Sequence, residues 1–195
     1  MRKKTGFLPC FRRKTKSMRK IVLIHGVIAG VIAGGMLFIS TPLVRDGSLS
    51  FDSGTLVGYT TMVVALSMVF FGVKSYRDQH LGGVITFGKA LAVGALITLV
   101  ASCVYALVWE ICYRTVAVGF MDGMIDYYLQ EKREQGATAA ELGQYTQEMK
   151  DLMVMYQNPV VRFGMTVMEI LPVGMVLTLL SAALLRKKAF LPQAQ

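Results

Sequence analysis

The segment from Gly72 to Gly94 reads GVKSYRDQHLGGVITFGKALAVG and indicates how the chain crosses a membrane. Its first part, 74–83, is charged and contains two adjacent glycines, and long apolar runs lie before and after it. Basic residues beside an apolar run favour the cytoplasmic side of a membrane, and this stretch carries Lys74, Arg77 and Lys89. The pattern predicts a short cytoplasmic loop between two membrane-spanning helices.

Four apolar blocks extend outward from this loop, at about residues 21–39, 56–73, 87–111 and 160–185. A helix needs roughly 20 apolar residues to cross the hydrocarbon core, and each block meets or approaches that length. The chain has 195 residues, of which 54% are hydrophobic, and they fall in blocks instead of at the spacing of an amphipathic helix or strand. The predicted fold class is therefore all-α, a polytopic membrane protein with four transmembrane helices.

The basic charge of the chain is concentrated at its beginning. The formal net charge is +9, and nine of the 21 lysines and arginines lie in the first 20 positions, directly before the first apolar block. Such a flank keeps its side of the membrane cytoplasmic and attracts anionic lipid, whereas nucleic-acid binding would need a basic surface or motif that is not seen. We expect residues 1–20 to be a cytoplasmic segment on the lipid bilayer, although 1–17 could also be an upstream extension of a start at Met18.

The segment 114–157 is polar and acidic and predicts a helical hairpin. One helix is expected to continue from the third span to about Gln135, where Gly136 ends it, and a second begins at Thr138. Thr138 and Glu141 match the S/T-x-x-E capping box. We expect an extracytoplasmic hairpin between the third and fourth spans, a membrane domain over 21–187, a cytoplasmic tail over 188–195, and both termini in the cytoplasm.

A row of glycines on the first span predicts close helix packing. Gly26, Gly30 and Gly34 recur every four residues and therefore share one helix face. Without side chains there, a neighbouring helix can approach closely and gain dispersion contacts. The partner is either another helix of the same chain or a second copy of the chain.

A charged residue in or at the end of a predicted span is costly unless it is paired or hydrated, and three of the ionisable residues at such positions form a candidate site. Glu110 ends the third span, Arg114 follows one turn later, and Glu169 lies inside the fourth span. An i,i+4 ion pair is available between the first two, and Pro172 frees a carbonyl oxygen close to Glu169. We expect these three residues in the outer half of the bilayer, either as a hydrated proton or cation site or as a closed, paired structural cluster.

Motifs for other chemistry are missing from the sequence. It contains no HExxH, GxSxG, P-loop, GxGxxG or CxxC pattern, and the cysteines at 103 and 112 would lie on opposite faces of one helix. Thirteen methionines have no histidine or cysteine companions at metal-ligand spacing, so apolar packing explains them better than copper. We expect no metal, no cofactor and no nucleic-acid partner, and we expect the protein not to be an enzyme.

The stretch 72–94 also resembles a bacterial membrane family catalogued as domain of unknown function 4199. The resemblance rests on the loop–helix pattern formed by Lys74, Tyr76, Arg77, Asp78, Gly82, Gly83 and Lys89, and it extends over roughly 18–187. It implies a four-span protein of the bacterial inner membrane without an established activity, and it supplies no catalytic residues.

Two functions therefore remain open from the sequence. The first is a non-enzymatic membrane protein that acts by assembly with itself or with a membrane partner, through its glycine-faced helix and its acidic hairpin. The alternative is a small proton- or cation-linked transporter or channel that uses the intramembrane carboxylates Glu110 and Glu169.

Overall fold

Seven α-helices form the part of the chain that the computed structural model describes, which is residues 8–186, with side chains from Met18 onward. They are α1 Leu8–Arg45, α2 Phe51–Leu66, α3 Met68–His80, α4 Phe87–Thr115, α5 Phe120–Glu134, α6 Ala139–Tyr156 and α7 Pro159–Leu185. The basic charges predicted for the cytoplasm at 1–17 and at Lys187 and Lys188 lie outside the described side chains.

Four helical segments are long and apolar enough to cross a membrane. They are Met18–Arg45, Phe51–His80 (α2 and α3 together), Phe87–Thr115 and Pro159–Leu185. Large apolar side chains remain exposed along their outer faces, for example Leu56, Val64 and Val176, which are 70%, 63% and 56% exposed. An apolar outer surface on this scale is typical of contact with lipid and not with water. The prediction of an all-helical chain with four candidate spans is confirmed.

The loop predicted at 74–83 is wrong in extent, because α3 continues to His80 and the connection to α4 is only 81–86. Lys74 Nζ lies 2.7 Å from Asp78 Oδ2, an i,i+4 pair that favours a helix here. Arg77 is fully buried and its Nε lies 2.7 Å from Asp78 Oδ1, so this arginine is packed inside the bundle and does not lie in a solvated loop. A helix longer than the hydrocarbon core can carry polar residues at its end without unwinding.

The second span is interrupted at Ser67, between α2 and α3. The Ser67 hydroxyl donates to the carbonyl of Val64 over 2.6 Å, and the Phe70 amide donates to the Ser67 carbonyl over 3.0 Å in place of the usual four-residue step. The sequence contains no proline here, so the break is due to competition by the serine side chain and a locally tighter turn.

The glycine face of α1 packs in parallel against α4. An added Cβ at Gly30 would lie 2.6 Å from Val104 Cβ and 2.7 Å from the Ala101 carbonyl oxygen, and Gly26 and Gly34 approach valines of α4 in the same way. The sequence left open whether this face packs against another helix of the chain or against a second copy. In the structure it packs against another helix of the chain. The glycine face is therefore covered within the chain.

Helices α4 and α7 run antiparallel, and each packs a threonine against a glycine of the other. Thr98 of α4 contacts Gly174 of α7, and Thr178 of α7 contacts Gly94 of α4. The two threonine hydroxyls are 3.1 Å apart and buried. Each glycine makes room for the threonine opposite, so α4 lies in the middle of the bundle between α1 and α7.

The hairpin of α5 and α6 lies at the end of the bundle where α1 and α4 finish and where α2 and α7 begin. The prediction that its first helix continues the third span was wrong, because α4 ends at Thr115 and Gly119, with φ of +76°, turns the chain before α5. The predicted capping box is present: Thr138 Oγ1 accepts from the Glu141 amide, and the Glu141 carboxylate accepts from the Thr138 amide. We call this end of the molecule the hairpin end and the other the basic end.

Candidate functional site

Glu110 is paired with an arginine that the sequence analysis did not select. Arg162, in the first turns of α7, donates from Nε and Nη2 to the two Glu110 oxygens over 2.7 Å each. Its Nη1 donates to the Tyr156 carbonyl over 2.9 Å, and its guanidinium lies 4.1 Å from the centre of the Tyr113 ring. A bidentate arginine–carboxylate ion pair of this kind is among the strongest charge-assisted hydrogen-bonded contacts. It connects α4, α6 and α7 at the hairpin end.

Arg114 contributes little to this pair. Its Nη2 lies 3.7 Å from Glu110 Oε2, and its side chain is 67% exposed. The i,i+4 relation was correct in sequence, but the buried Arg162 occupies both oxygens of Glu110. Arg162 stands 52 residues away in the chain, and the available signal was its position at the start of the fourth span, at the same depth as Glu110.

Glu169 does not join this cluster, and the predicted grouping of Glu110, Arg114 and Glu169 is therefore wrong. Glu169 lies two helical turns beyond Arg162 on α7. Arg162 pairs with Glu110 and neutralises its charge. Within the described residues, Glu169 has no ion pair and no hydrogen bond, and its side chain is exposed to a cavity. The two intramembrane carboxylates thus have different environments.

The cavity has a volume of about 300 Å³ and opens between α1, α2, α4 and α7, with the hairpin beside it. Besides Glu169, its walls are mainly aromatic and apolar and include Met62, Tyr59, Tyr105, Trp109 and Tyr156. Such a volume is at the small end of ordinary ligand pockets, which are mostly apolar with a few polar groups that fix orientation. The cavity is therefore a candidate binding site with one charged group.

Small residues on α2 leave this space open. Gly54 and Gly58 both line the cavity, and a Cβ added at Gly58 would meet nothing within 4 Å. The buried residues of α2 begin at Met62, one turn later. The first half of α2 consequently stands away from α4, and the gap between them is the cavity.

Aromatic contacts hold the wall of the cavity in place. Trp109 Nε1 donates to the Tyr156 hydroxyl over 2.7 Å, and the Trp109 ring contacts Phe120, which in turn contacts Phe51, with ring centres 6.4 and 5.4 Å apart. Burial raises the pKa of the Tyr156 phenol above its usual range, and the Glu169 carboxylate acts in the same direction. The tyrosine therefore stays neutral and can contribute its ring face and its hydroxyl to the site.

The family-like residues lie at the opposite, basic end. Tyr76 contacts His80 with ring centres 5.7 Å apart, Gly82 and Gly83 have φ of +63° and +82° in the turn before α4, and Lys89 is exposed in the first turn of α4. These residues do not line the cavity. Among the described residues there is also no group of histidine, cysteine or carboxylate side chains that could hold a metal ion.

The comparisons with known proteins identify a family but no activity. A family model described as "Protein of unknown function (DUF4199)" matches residues 25–187, which is most of the chain and includes most or all of each candidate span. The resemblance indicated by residues 72–94 is confirmed. No curated protein and no solved structure matches the chain.

Proposed function

The chain belongs to the DUF4199 family, whose description names no activity, and we propose that it is a small membrane carrier for positively charged solutes that uses Glu169 as its binding carboxylate. The supporting observation is that Glu169, inside a candidate span, has no partner among the described residues and lines a cavity of about 300 Å³. The sequence offered this function as the alternative, with Glu110 as a second binding group. The pairing of Glu110 with Arg162 supports a structural role for Glu110 instead.

An unpaired carboxylate at this depth has to be neutralised by something that binds it. Burying an isolated carboxylate in apolar surroundings is costly, and a proton or a cation removes that cost. The titratable groups that line the cavity with Glu169 are the phenols of Tyr59, Tyr105, Tyr128 and Tyr156, and the polar side chains from α1 carry only hydroxyls. Because one carboxylate cannot hold a proton and a cation together, binding of the cation releases a proton. This is the basis of exchange.

Proton release can be measured in liposomes loaded at acid pH with a pH-sensitive dye. External Na⁺, K⁺ or tetramethylammonium should raise the internal pH in the presence of the protein, and Glu169→Gln should remove the response because it keeps the shape but not the charge. Glu148→Gln, on the exposed face of α6, is the matched control and should behave as wild type. An unchanged response in Glu169→Gln, or none to any of the cations in wild type, would overturn the carrier proposal.

For orientation we propose that the basic end faces the cytoplasm of a bacterial cell and that the hairpin lies outside the inner membrane, with both termini cytoplasmic. The support is charge: Arg19, Lys20, Lys74, Lys89 and Arg186 all belong to the basic end. In a cysteine-free background, an impermeant maleimide should label Gln144→Cys on α6 in intact cells. Gln79→Cys on α3 should react only after permeabilisation, and the reverse pattern would contradict this orientation.

A second candidate function is assembly with a membrane partner through the hairpin, without enzymatic activity. It is favoured by Val154 and Met155 on α6, which are 69% and 52% exposed although they lie outside the candidate spans. The glycine face gives it no support, since it is covered by α4. Native mass spectrometry from lipid nanodiscs should then show a complex, and isolated monomers throughout would exclude this candidate.

A further inference from the structure

The cavity around Glu169 has walls that suit one kind of cation better than others. Inorganic cations such as Na⁺, Ca²⁺ and Mg²⁺ need several oxygen ligands arranged around them. The cavity supplies a single carboxylate, and its other side-chain oxygens belong to neutral hydroxyls and phenols on several different helices. The remaining wall is largely made of aromatic rings and of the side chains of Met62, Met121 and Met124.

Aromatic rings are the complementary surface for an organic ammonium ion. A cation over a ring face is attracted by the ring quadrupole, most strongly when both are removed from water. Tyr59, Tyr105, Trp109 and Tyr156 line the cavity together with Glu169. Because these side chains line one cavity of about 300 Å³, an ammonium ion inside it lies close to both the carboxylate and the rings.

We propose that this cavity binds a small organic ammonium ion, with the nitrogen beside Glu169 and the apolar part of the ligand against the rings and Met62. The inference rests on the carrier function proposed above and specifies its substrate class. The volume of about 300 Å³ limits the ligand to a compact amine. The hydrogen bond from Trp109 to Tyr156 fixes the wall in advance, which lowers the entropy cost of binding.

The test uses phenyltrimethylammonium, a quaternary cation with one ring, and isothermal titration calorimetry of the full chain in detergent. Wild type should bind it, while the uncharged analogue tert-butylbenzene should bind at least tenfold more weakly because it cannot interact with the carboxylate. Glu169→Gln should weaken binding of the cation tenfold or more. Equal binding to Glu169→Gln and wild type would mean partition into the detergent and would overturn the proposal.

A second pair of variants tests the cavity itself. Gly58→Leu places a side chain in the open space and should weaken binding tenfold or more, whereas Gly35→Leu, where an added Cβ also meets nothing within 4 Å but the residue does not line the cavity, should leave it unchanged. Equal binding in Gly58→Leu would place the ligand elsewhere. Should Gly58→Leu fail to fold, Tyr105→Leu removes one ring and carries the same expectation.

The outcomes separate the two proposals. If Na⁺ or K⁺ causes Glu169-dependent proton release in liposomes and phenyltrimethylammonium does not bind, the carrier function stands and the organic substrate class is wrong. If phenyltrimethylammonium binds in a Glu169-dependent way and no cation causes proton release, the site is correct and the carrier function is wrong.

Discussion

Two glutamates in candidate spans show how environment decides the role of a residue. Glu110 accepts two short hydrogen bonds from Arg162, and Glu169 faces a cavity without a partner among the described residues. The pairing explains why Glu110 is tolerated at its depth, and in the proposed carrier the exchange of charge falls to Glu169. A carboxylate inside a span is therefore best judged by what faces it.

Removing Glu110 should destabilise the protein strongly. Glu110→Leu leaves the Arg162 guanidinium, whose side chain is only 4% exposed, buried without its counter-charge, and a broken buried pair typically costs about 3–5 kcal/mol. Thermal unfolding in detergent, followed by circular dichroism, measures the loss. Glu110→Leu combined with Arg162→Met removes both charges and should recover most of the stability, while Arg114→Gln should change it by less than about 0.5 kcal/mol. A double variant as unstable as the single one would contradict this explanation.

The sequence identified the two carboxylates that lie inside the spans but not the partner of Glu110. The i,i+4 rule suggested Arg114 for Glu110 because it considers only one helix. The actual partner is on another helix and 52 residues away, and choosing it requires knowing that α4 and α7 are neighbours.

Among the elements, the contact between α1 and α4 depends on the absence of side chains. At Gly30 an added methyl would lie 2.6 Å from Val104 Cβ and 2.7 Å from a backbone oxygen that cannot move away easily. Gly30→Ala should therefore separate the helices and lower the free energy of unfolding by about 1–3 kcal/mol. Gly35→Ala, with open space around its Cβ, should be neutral or slightly stabilising in the same thermal unfolding experiment. Equal effects of the two would show that helix propensity, not packing, governs the site.

The start of α6 should depend on pH through its capping box. Hydrogen bonds from the Thr138 amide and hydroxyl lower the pKa of Glu141 below its usual range. The stabilisation is thus complete above the ordinary pKa of a glutamate and is lost as the pH falls through the lowered folded-state pKa. Hydrogen exchange of the first-turn amides of α6, corrected for intrinsic rates, should become several-fold faster over that range.

A matched pair of variants isolates this effect. Thr138→Ala removes the side-chain cap and should make the same amides exchange several-fold faster at neutral pH, whereas Thr138→Ser keeps a hydroxyl and should resemble wild type. Protection that is independent of both pH and Thr138 would contradict the assignment.

Element boundaries followed from the sequence where the signal was local. The capping box at Thr138 and the stop at Gly136, with φ of +85°, were correctly placed because each needs only a few neighbouring residues. The ends of α1, α3 and α4 were misplaced, since membrane helices extend beyond their apolar blocks and a polar residue does not end them. The turn at Gly119 was missed for the same reason.

For the whole molecule, burial predicts that the hairpin is the least stable part. No residue of α5 or α6 is buried, whereas α4 contains eleven buried residues. Hydrogen exchange measured by mass spectrometry in detergent should show α5 and α6 opening well before α4, because local stability follows buried contacts. Equal protection of the hairpin and α4 would mean that the contacts of Tyr156 with Trp109 and Arg162 hold the hairpin as firmly as the core.

Four spans and a hairpin could be predicted from composition and charge, because a bilayer demands long apolar helices. The cavity could not. It exists because the first half of α2 stands away from α4, and this depends on the way in which α1, α4 and α7 share their small residues. Gly58 by itself reads as an ordinary glycine in an apolar run.

The reciprocal glycine–threonine contacts between α4 and α7 have a mechanical consequence. With Thr98 seated against Gly174 and Thr178 against Gly94, sliding or rotation of one helix past the other would drive side chains into backbone. The glycine face packs α1 against α4 as well. We therefore expect α1, α4 and α7 to move together as one rigid body.

The first half of α2 packs closely against Val44 of α1 at Gly54. Beside the cavity, however, an added Cβ at Gly58 would meet nothing within 4 Å, and α2 ends at the break at Ser67. A carrier must open its site to each side in turn. In the proposed carrier we expect α2 to move, with Ser67 as the hinge.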